Sequence, residues 1–318
     1  MMKTAPGMFD LHCDTLTRSL YRPATPGRGP LDEPAAQLSL SRMPAGTRWV
    51  QCYAVFVPDD KRGAEGAAFF DHWAAVFARE MERERARVGW CRGGRELTKT
   101  LDAGKFAAIL TVEGGSALGG RLERVDALWN AGVRMMTLTW NGKNELASGH
   151  GTAEGFSGFG REAVAAMEER GIVVDVSHLN DRGFEELLGF AKKPFAASHS
   201  NARSVCKHWR NLPDDYIREM VKRRGLIGLN YCQSFLSDDG RGDLEDLWRH
   251  VERFLALGAE KCLALGSDYD GADVHPDLDG VEKSLGIYPF LLERGLPEET
   301  AGDILFGNAW RFFQGALA

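Results

Sequence analysis

The stretch FDLHCD near the start of the chain places three polar residues, Asp10, His12 and Asp14, at every second position. Alternate residues of a β-strand share one face, so the pattern predicts two carboxylates and an imidazole on one side of a strand. The other side then carries Phe9, Leu11 and Cys13. An imidazole and a carboxylate at this spacing can ligate one metal ion. Taken alone, the stretch favours a plainer interpretation, an edge strand with a polar outer face.

The elements that would position these residues can be predicted from the rest of the chain. Short apolar runs predict eight strands, over 9–14, 49–56, 106–114, 133–140, 171–178, 194–199, 225–230 and 262–268. Continuous apolar runs are typical of a sheet buried on both faces. Helical patterns lie between them, over 65–88, 121–130, 160–170, 181–191, 213–224, 242–257 and 297–313.

Alternating strands and helices predict a parallel sheet with crossover helices. This number of strands favours a (β/α)8 TIM barrel of the α/β class, as a single domain over residues 1–318. A doubly wound open sheet is the alternative, but the chain contains neither G-x-G-x-x-G nor a phosphate-binding P-loop.

Composition excludes several classes of protein. Hydrophobic residues make up 44% of the 318 residues and charged residues 26%, as in an ordinary globular protein. The net charge of −6 without a basic block argues against a nucleic-acid partner. No apolar run reaches the ~20 residues of a membrane helix, and MMKTAPGMFD lacks the apolar core of a signal peptide. We therefore expect a cytoplasmic protein with no membrane partner, whose six scattered cysteines are free thiols.

A barrel carries its catalytic groups at the C-terminal ends of its strands and in the loops that follow. Five of the eight predicted strands end in side chains capable of chemistry, namely His12 with Asp14, Glu113, His178, His199 and Asp268. Each ends an apolar run, where burial without a partner is costly. The coincidence of the whole set at one predicted mouth favours a site over unrelated core residues.

Three histidines and two carboxylates are more ligands than one tetrahedral zinc ion needs, and they fit two ions bridged by a carboxylate. Imidazole and carboxylate without thiolate suit two zinc ions, with manganese, iron or cobalt as alternatives. Such a pair makes hydroxide available near neutral pH and polarises an electrophile. The set therefore predicts hydrolysis of an amide, an ester or a related bond.

The remaining roles fall to residues near the same mouth. Asp268 is the expected proton donor to the leaving group, in preference to Asp270 in the turn DYDGAD. Arg210 in HWRNLPDD is the expected anchor for an anionic substrate group, with an exposed salt bridge to Asp214 or Asp215 as the alternative. The other histidines are expected to be weaker candidates. His150, in the glycine-rich loop ASGHGT, is either a substrate contact or a flexible loop residue, and His72, His208 and His250 are expected to be solvated.

The chain resembles the renal (membrane) dipeptidase-type metallopeptidases of peptidase family M19, within the amidohydrolase-like barrels. The matching pieces run over nearly the whole chain and read DLHCDT, TVEGG, MTLTW, VDVSH, ASHSNARSVCKHWRNLPDD and GSDYDG. The resemblance implies a zinc-dependent dipeptidase, often dimeric, that tolerates a D-residue at the C-terminal position of its substrate.

The resemblance also implies a role for each matching residue. His12 and Asp14 would hold one zinc ion, and His178 and His199 the other. Glu113 would bridge the two ions. Arg210 would bind the terminal carboxylate of the dipeptide, and Asp268 would move a proton between the attacking water and the leaving amine.

One position departs from the family pattern. Trp140 follows MTLT, where the well-known mammalian members have a histidine that contacts the substrate carbonyl. An indole N–H donates one hydrogen bond but does not titrate, so polarisation is either weaker or supplied by Asn141, Asn144 or His150. This leaves open a hydrolase of another small amide, an N-acyl amino acid or a lactone on the same site. A non-catalytic metal-binding sensor is a third alternative, which no feature of the sequence favours.

Overall fold

The computed structural model describes residues 7–22, 24–44 and 46–317. Within them the strands are β1 (Met8–Cys13), β2 (Trp49–Phe56), β3 (Val88–Trp90), β4 (Phe106–Glu113), β5 (Val133–Thr137), β6 (Val173–Asp175), β7 (Ala196–Ala197), β8 (Leu226–Leu229) and β9 (Leu263–Leu265). Eight of these are parallel and close into a barrel in the order β2-β1-β9-β8-β7-β6-β5-β4, with β4 pairing back to β2. The predicted (β/α)8 fold is confirmed.

The helices surround the barrel and connect its strands. They are α1 (Gly63–Arg83), α2 (Gly94–Asp102), α3 (Arg124–Asn130), α4 (Gly158–Arg170), α5 (Asp181–Phe190), α6 (Asp214–Lys222), α7 (Gln233–Leu236), α8 (Leu244–Ala256), α9 (Val281–Glu293), α10 (Glu298–Gly302) and α11 (Asn308–Ala316). A π-helical segment, Asp303–Gly307, joins α10 to α11. The end of α4 shows why its boundary is sharp, because Gly171 adopts φ 85° and its N–H donates to the carbonyl of Met167.

All eight predicted barrel strands are present, and most are shorter than the apolar runs that predicted them. Four elements were missed, one of which is the four-residue helix α7. Strand β3 falls at the end of the predicted helix 65–88 and pairs with the first residues of β4, outside the closed ring. Its three residues are too short to give a periodic signal. Helix α2 and helix α9, which contains Pro289, were also not predicted.

A β-bulge in β1 changes which side chains enter the barrel. Asp10 pairs with Gln51 and Cys13 pairs with Tyr53, so three residues of β1 advance against two of β2. The extra residue of a bulge interrupts the alternation of faces along a strand. The simple two-residue periodicity of FDLHCD therefore does not hold across this stretch.

The prediction that Asp10 shares a face with His12 is wrong for this reason. Phe9 belongs to the core cluster inside the barrel, so its neighbour Asp10 points outward, between the strands and the helices. The Asp10 carboxylate accepts hydrogen bonds from the backbone N–H and the hydroxyl of Ser267, at 2.8 and 2.6 Å. It also accepts from Gln51 Nε2 at 3.0 Å and from the backbone N–H of His12 at 3.3 Å. Its carboxylate thus has a structural role, because these hydrogen bonds join β1 to the end of β9 from outside the barrel.

The cysteines behave as predicted, and all six are free thiols. Cys13 is fully buried in the outer core cluster, with its Sγ 3.5 Å from the carbonyl oxygen of Cys52. It packs between the barrel and the helices, away from the mouth. No described helix combines the length and the hydropathy required to cross a bilayer.

The barrel interior is closed at its N-terminal end by the last helical segment. Phe9 stacks on Phe313 of α11 with ring centroids 5.1 Å apart, and Phe306 lies 6.3 Å from Phe9. Phe313 is fully buried, whereas its neighbour Phe312 is partly exposed. The end opposite the predicted site is therefore sealed by aromatic packing.

Replacing Phe313 by alanine should lower the free energy of unfolding by about 3–5 kcal/mol, because a large buried ring is lost and a cavity remains. Denaturant unfolding of the purified variant measures this change. Phe312→Ala is the matched control, and its cost should be clearly smaller. An equal loss in the free energy of unfolding for the two variants would contradict the role of Phe313 in sealing this end of the barrel.

Candidate active site

The C-terminal ends of the barrel strands open into a cleft of about 710 Å³. Asp14, Glu113, His178, Arg210 and Asp268 all line it. A second cavity, of about 680 Å³, lies at the other end of β6, β7 and β8 against α11. None of the predicted site residues lines that second cavity.

Glu113, the last residue of β4, stands at the centre of the cluster. Its Oε1 lies 2.8 Å from His178 Nε2 and 3.5 Å from His199 Nε2. Its Oε2 lies 3.6 Å from His12 Nε2. The two oxygens of one carboxylate therefore face two different groups of potential ligands.

The second group is built around His12. Its Nε2 lies 3.4 Å from Asp14 Oδ2 and 3.8 Å from Asp268 Oδ1. The imidazole of His12 also lies against that of His199, with ring centroids 3.9 Å apart. The five predicted ligands thus converge, with Asp268 beside them.

The hydrogen bonds on the far side of two imidazoles fix where their lone pairs point. His178 Nδ1 donates to Asn141 Oδ1 at 3.0 Å, because an amide oxygen can only accept. Ser198 donates its hydroxyl hydrogen to Asp175 Oδ2 at 2.5 Å, and its Oγ accepts from His199 Nδ1 at 2.8 Å. Both histidines therefore present an unprotonated Nε2 to the site, which is the form that binds metal.

These lone pairs meet each other and a carboxylate oxygen. His178 Nε2 and His199 Nε2 are 3.0 Å apart, and both approach Glu113 Oε1. In addition, His12 Nε2 and Asp14 Oδ1 are buried and have no hydrogen-bond partner in the described part of the chain. Acceptors facing acceptors are costly in a buried site, and a cation removes that cost. The donor set of imidazole and carboxylate fits divalent ions such as zinc.

Burial sets the charge states of the cluster. It holds the pKa of His178 and His199 well below the usual range, so both rings are neutral. Burial also raises the pKa of Glu113 well above its ordinary value, and the neighbouring Asp14 adds to this shift. Burial lowers the pKa of His12, but the carboxylates of Glu113 and Asp14 more than offset this and raise it to about 10. Without an ion the cluster therefore favours protons on Glu113 and His12, which a bound divalent cation would displace.

Two of the site residues adopt a left-handed backbone that non-glycine residues rarely occupy. His178 has φ 69° and Asp268 has φ 61°. Each is held by its neighbours, since His178 O accepts from His150 N at 3.0 Å and Asp268 N donates to His12 O at 3.2 Å. Gly271 completes the packing, because a Cβ there would lie 2.0 Å from Asp14 Oδ2. Strained backbone of this kind concentrates at functional sites.

Asp175 is a residue that the sequence analysis did not single out. It is fully buried at the end of β6, and its carboxylate accepts from the hydroxyl groups of Thr137 and Ser198. It also accepts from the backbone N–H groups of Ser177 and Ser198, at 3.0 and 2.8 Å. Through Ser198 it fixes the orientation of His199. The sequence feature that could have indicated this role is a carboxylate at the end of the otherwise apolar strand VVD.

Asp268 lies against the ligands on the β9 side. Its Oδ2 accepts from Asn230 Nδ2 at 2.9 Å, which leaves Oδ1 facing His12. Burial raises its pKa, and the Asp14 carboxylate adds to this, while His12 and Arg210 oppose it. Asp270 instead turns toward Thr15 and Arg18, with its Oδ2 2.6 Å from the Thr15 hydroxyl.

Arg210 is buried beside the cluster, which contradicts the alternative of an exposed salt bridge. Its Nη2 donates to the carbonyl oxygen of His199 at 3.3 Å, and its guanidinium lies 5.4 Å from the ring centroid of Phe235. Its Nε is buried and has no partner among the residues that the structure describes. Asp214 pairs with Arg253 instead, and Asp215 pairs with Arg218. A buried guanidinium with an unpaired donor is suited to bind an anionic group.

The loop after β5 places the residues around Trp140 beside His178. The Trp140 ring lies 6.4 Å from the His178 ring, and the His150 ring stacks on the other side at 5.5 Å. Burial lowers the pKa of His150 to about 3, so its ring is neutral. Asn144 is used within the loop, because its Oδ1 accepts from the N–H groups of Leu146 and Ala147. Its amide is therefore committed to holding the loop.

One expectation for the other histidines is wrong. His250 is fully buried, with Nδ1 accepting from Ala202 N at 3.1 Å and Nε2 3.0 Å from the carbonyl oxygen of Leu236. It ties α8 to the segment that carries Arg210. His208 is half-buried and lines the cleft, and its ring lies 4.5 Å from that of Phe235. Neither the burial of His250 nor the position of His208 in the cleft can be predicted from a single histidine in a helical or loop pattern.

Comparisons with known proteins agree with this geometry. The sequence matches the family described as membrane dipeptidase, peptidase family M19, over residues 1–317. A protein of the pqqA 5′ region of Klebsiella pneumoniae, whose function is not characterised, is 28% identical over 246 residues, which cover 74% of this chain and 91% of that protein.

Two solved structures share the fold along their whole length. The dipeptidase AC, a metallopeptidase of family M19, has a TM-score of 0.90 and 26% identity, with 99% of both chains covered. A metallopeptidase from Rhodobacter sphaeroides, bound to a phosphinate mimic of L-Ala-D-Ala, has a TM-score of 0.90 and 24% identity, with 99% of this chain and 100% of that one covered.

Asp175→Asn should weaken metal binding by about 10–100-fold, because Ser198 loses the acceptor that orients it toward His199. Titration of the metal-free protein with zinc, followed by calorimetry, measures this affinity. Glu168→Gln is the matched control, since Glu168 is a buried carboxylate that accepts from the backbone N–H groups of Lys192 and Lys193 far from the cleft. A similar loss of affinity in both variants would contradict a specific role for Asp175.

Proposed function

Since the chain belongs to the membrane dipeptidase family of metallopeptidases, family M19, we propose that it hydrolyses the peptide bond of dipeptides at a dinuclear zinc centre. One observation carries the proposal. The unprotonated Nε2 atoms of His178 and His199 meet Glu113 Oε1, while Glu113 Oε2 faces His12. This arrangement is the one expected of a carboxylate that bridges two ions.

In this proposal His12 and Asp14 hold one ion, His178 and His199 hold the other, and Glu113 contacts both. Bound there, the ions supply an activated water at neutral pH and polarise the carbonyl of the scissile bond. Manganese, iron and cobalt suit the same donor set. The identity of the metal, the cytoplasmic location and a homodimer stay predictions.

The chain's own residues perform the remaining work. Asp268 accepts a proton from the attacking water on Oδ1 and delivers it to the leaving amine, while Asn230 holds its Oδ2 in place. Arg210 binds the C-terminal carboxylate of the dipeptide, because its Nε lacks a partner within the described residues. The resemblance to the family supports acceptance of a D-residue beside that carboxylate.

A second candidate is hydrolysis of an N-acyl amino acid or a lactone at the same centre. Trp140 favours it, since the indole stands beside His178 where mammalian relatives have a histidine. An N-acyl amino acid still offers a carboxylate to Arg210. A lactone does not, so kinetics on the three substrate classes separate the candidates. Higher kcat/KM on dipeptides than on acyl amino acids or lactones would reject this second candidate.

Asp268→Asn should lower kcat on dipeptides by about 10²–10⁴-fold, because asparagine keeps the shape of the side chain but cannot carry the proton. Elemental analysis should find two metal ions per chain in the wild type and in the variant. The wild type, assayed with a panel of L,L and L,D dipeptides, should hydrolyse at least one of them.

Asp270→Asn is the matched control, because its carboxylate faces Arg18 and Thr15, and most of the activity should remain. Asp268 also stands close enough to His12 and Asp14 to hold a metal with them. Loss of one ion in Asp268→Asn would therefore show it to be a ligand and overturn its proposed role. A zinc-loaded wild type that cleaves no dipeptide would overturn the proposed function.

Arg210→Met should raise KM for dipeptides by at least about 10-fold, since a charge-assisted contact with the substrate carboxylate is lost. Dipeptides whose C-terminal carboxylate is an amide should be affected little, so the ratio of the two KM values reports the contact. Arg203→Met, in the same loop but paired with exposed Asp181, is the control. An equal effect of Arg210→Met on both substrates would contradict carboxylate binding.

A further inference from the structure

Three aromatic side chains form one wall of the active-site cleft. The ring centroids of Tyr21 and Phe56 are 6.2 Å apart, and those of Phe56 and Trp140 are 4.9 Å apart in an edge-to-face arrangement. All three residues line the cleft. We call this set, Tyr21, Phe56 and Trp140, the aromatic wall.

Phe56, the central residue of the aromatic wall, lies on the opposite side of the barrel mouth from Arg210, and it is flanked by Tyr21, which follows β1, and Trp140, which follows β5. Phe56 ends β2, and Arg210 follows β7. In the closed ring, β7 is four strands from β2 in either direction. Glu113 and His199 follow strands that lie along this path, and the ligand cluster sits between the wall and Arg210.

Exposure differs along the wall, because Phe56 is buried whereas Tyr21 is open to solvent. Tyr21 is 66% exposed and is one of only four large apolar residues in the described part of the chain that are exposed, together with Leu20, Leu122 and Trp209. Exposed aromatic surface that borders a cleft marks a place where a ligand binds. Because the wall is at the mouth, a ligand in the cleft can cover this surface.

The charges near the wall do not favour one sign. The carboxylates of Asp14 and Asp60 lie near Tyr21 and, together with burial, raise the pKa of its phenol. The guanidinium of Arg22 lines the same cleft. With both signs present, apolar contact is the property that can distinguish one substrate side chain from another.

We propose that this enzyme prefers dipeptides whose N-terminal residue carries a large apolar or aromatic side chain, and that the aromatic wall receives this side chain. The inference rests on the dipeptidase function proposed above. A dipeptide whose carboxylate is held by Arg210 and whose peptide bond lies over the ligand cluster extends its N-terminal residue toward the opposite side of the mouth. That side is the aromatic wall.

The test is a substrate series that differs only in the N-terminal residue. Phenylalanyl-, leucyl-, glycyl-, aspartyl- and lysyl-alanine are compared, each with L- and with D-alanine, on the zinc-loaded wild type. The kcat/KM for the phenylalanyl and leucyl substrates should exceed that for the glycyl substrate by about 10-fold or more, as apolar pockets discriminate by side-chain size.

Variants then locate the source of this preference. Trp140→Ala and Phe56→Ala should bring the ratio of phenylalanyl to glycyl kcat/KM close to one, mainly by lowering the first value. Tyr21→Ala, at an exposed position where folding is not at stake, should lower the same ratio in part. Leu122→Ala removes an exposed apolar side chain outside the cleft and should leave the ratio unchanged.

Two outcomes would overturn the inference while leaving the dipeptidase function intact. One is a wild type that cleaves the glycyl or charged substrates as well as the apolar ones. The other is a preference that survives all three wall variants. Failure to cleave any substrate of the series would instead remove the proposed function and this inference with it.

Discussion

The arrangement of the site depends on one unfavourable contact, the meeting of lone pairs and carboxylate oxygens inside a buried mouth. His178 Nε2 and His199 Nε2 face each other at 3.0 Å with Glu113 Oε1 beside them, and neither Nε2 carries a hydrogen, because each ring is protonated on Nδ1. Buried acceptors without donors are costly, and side chains that are free to move would turn away from one another or take up protons. Here the backbone and the hydrogen bonds behind each ring hold the cluster in place. The ligands are therefore preorganised to bind a cation.

The rigidity behind that cluster comes from two buried carboxylates. Asp175 lies within the barrel and holds Ser198 against His199, while Asp10 lies outside it and joins β1 to β9 through Ser267. Each accepts several hydrogen bonds, which satisfies the carboxylate and fixes the strand ends from which the ligands project. Neither touches the cleft, yet both set where the ligands stand. The positions of the ligands therefore depend on hydrogen bonds between the barrel strands as well as on contacts within the mouth.

Much of the fold and the location of the site could be predicted, because the signals were local and repeated. Apolar runs marked all eight barrel strands, and polar residues at their ends marked the mouth. The orientation of Asp10 could not be predicted, because a bulge of one residue leaves no trace in the alternation of FDLHCD. The burial of His250 was missed for a different reason, since its partners, Ala202 N and Leu236 O, are distant in sequence. The aromatic wall likewise depends on two loops and the end of β2, which meet only in the folded chain.

The pairing of β1 with β9 has a consequence for the order of folding. Asp10 and Ser267 are 257 residues apart, and their hydrogen bonds close the ring. The strands that carry Glu113, His178 and His199 lie between them and can assemble before the last strand exists. His12 and Asp268, by contrast, come together only when the first and last strands meet, and contacts between residues so far apart in sequence form slowly. Because β1 also joins the sheet through β2 and β4, all five proposed ligands belong to strands that are synthesised before β9. During synthesis they can therefore assemble first, and Asp268 joins them only when the barrel closes.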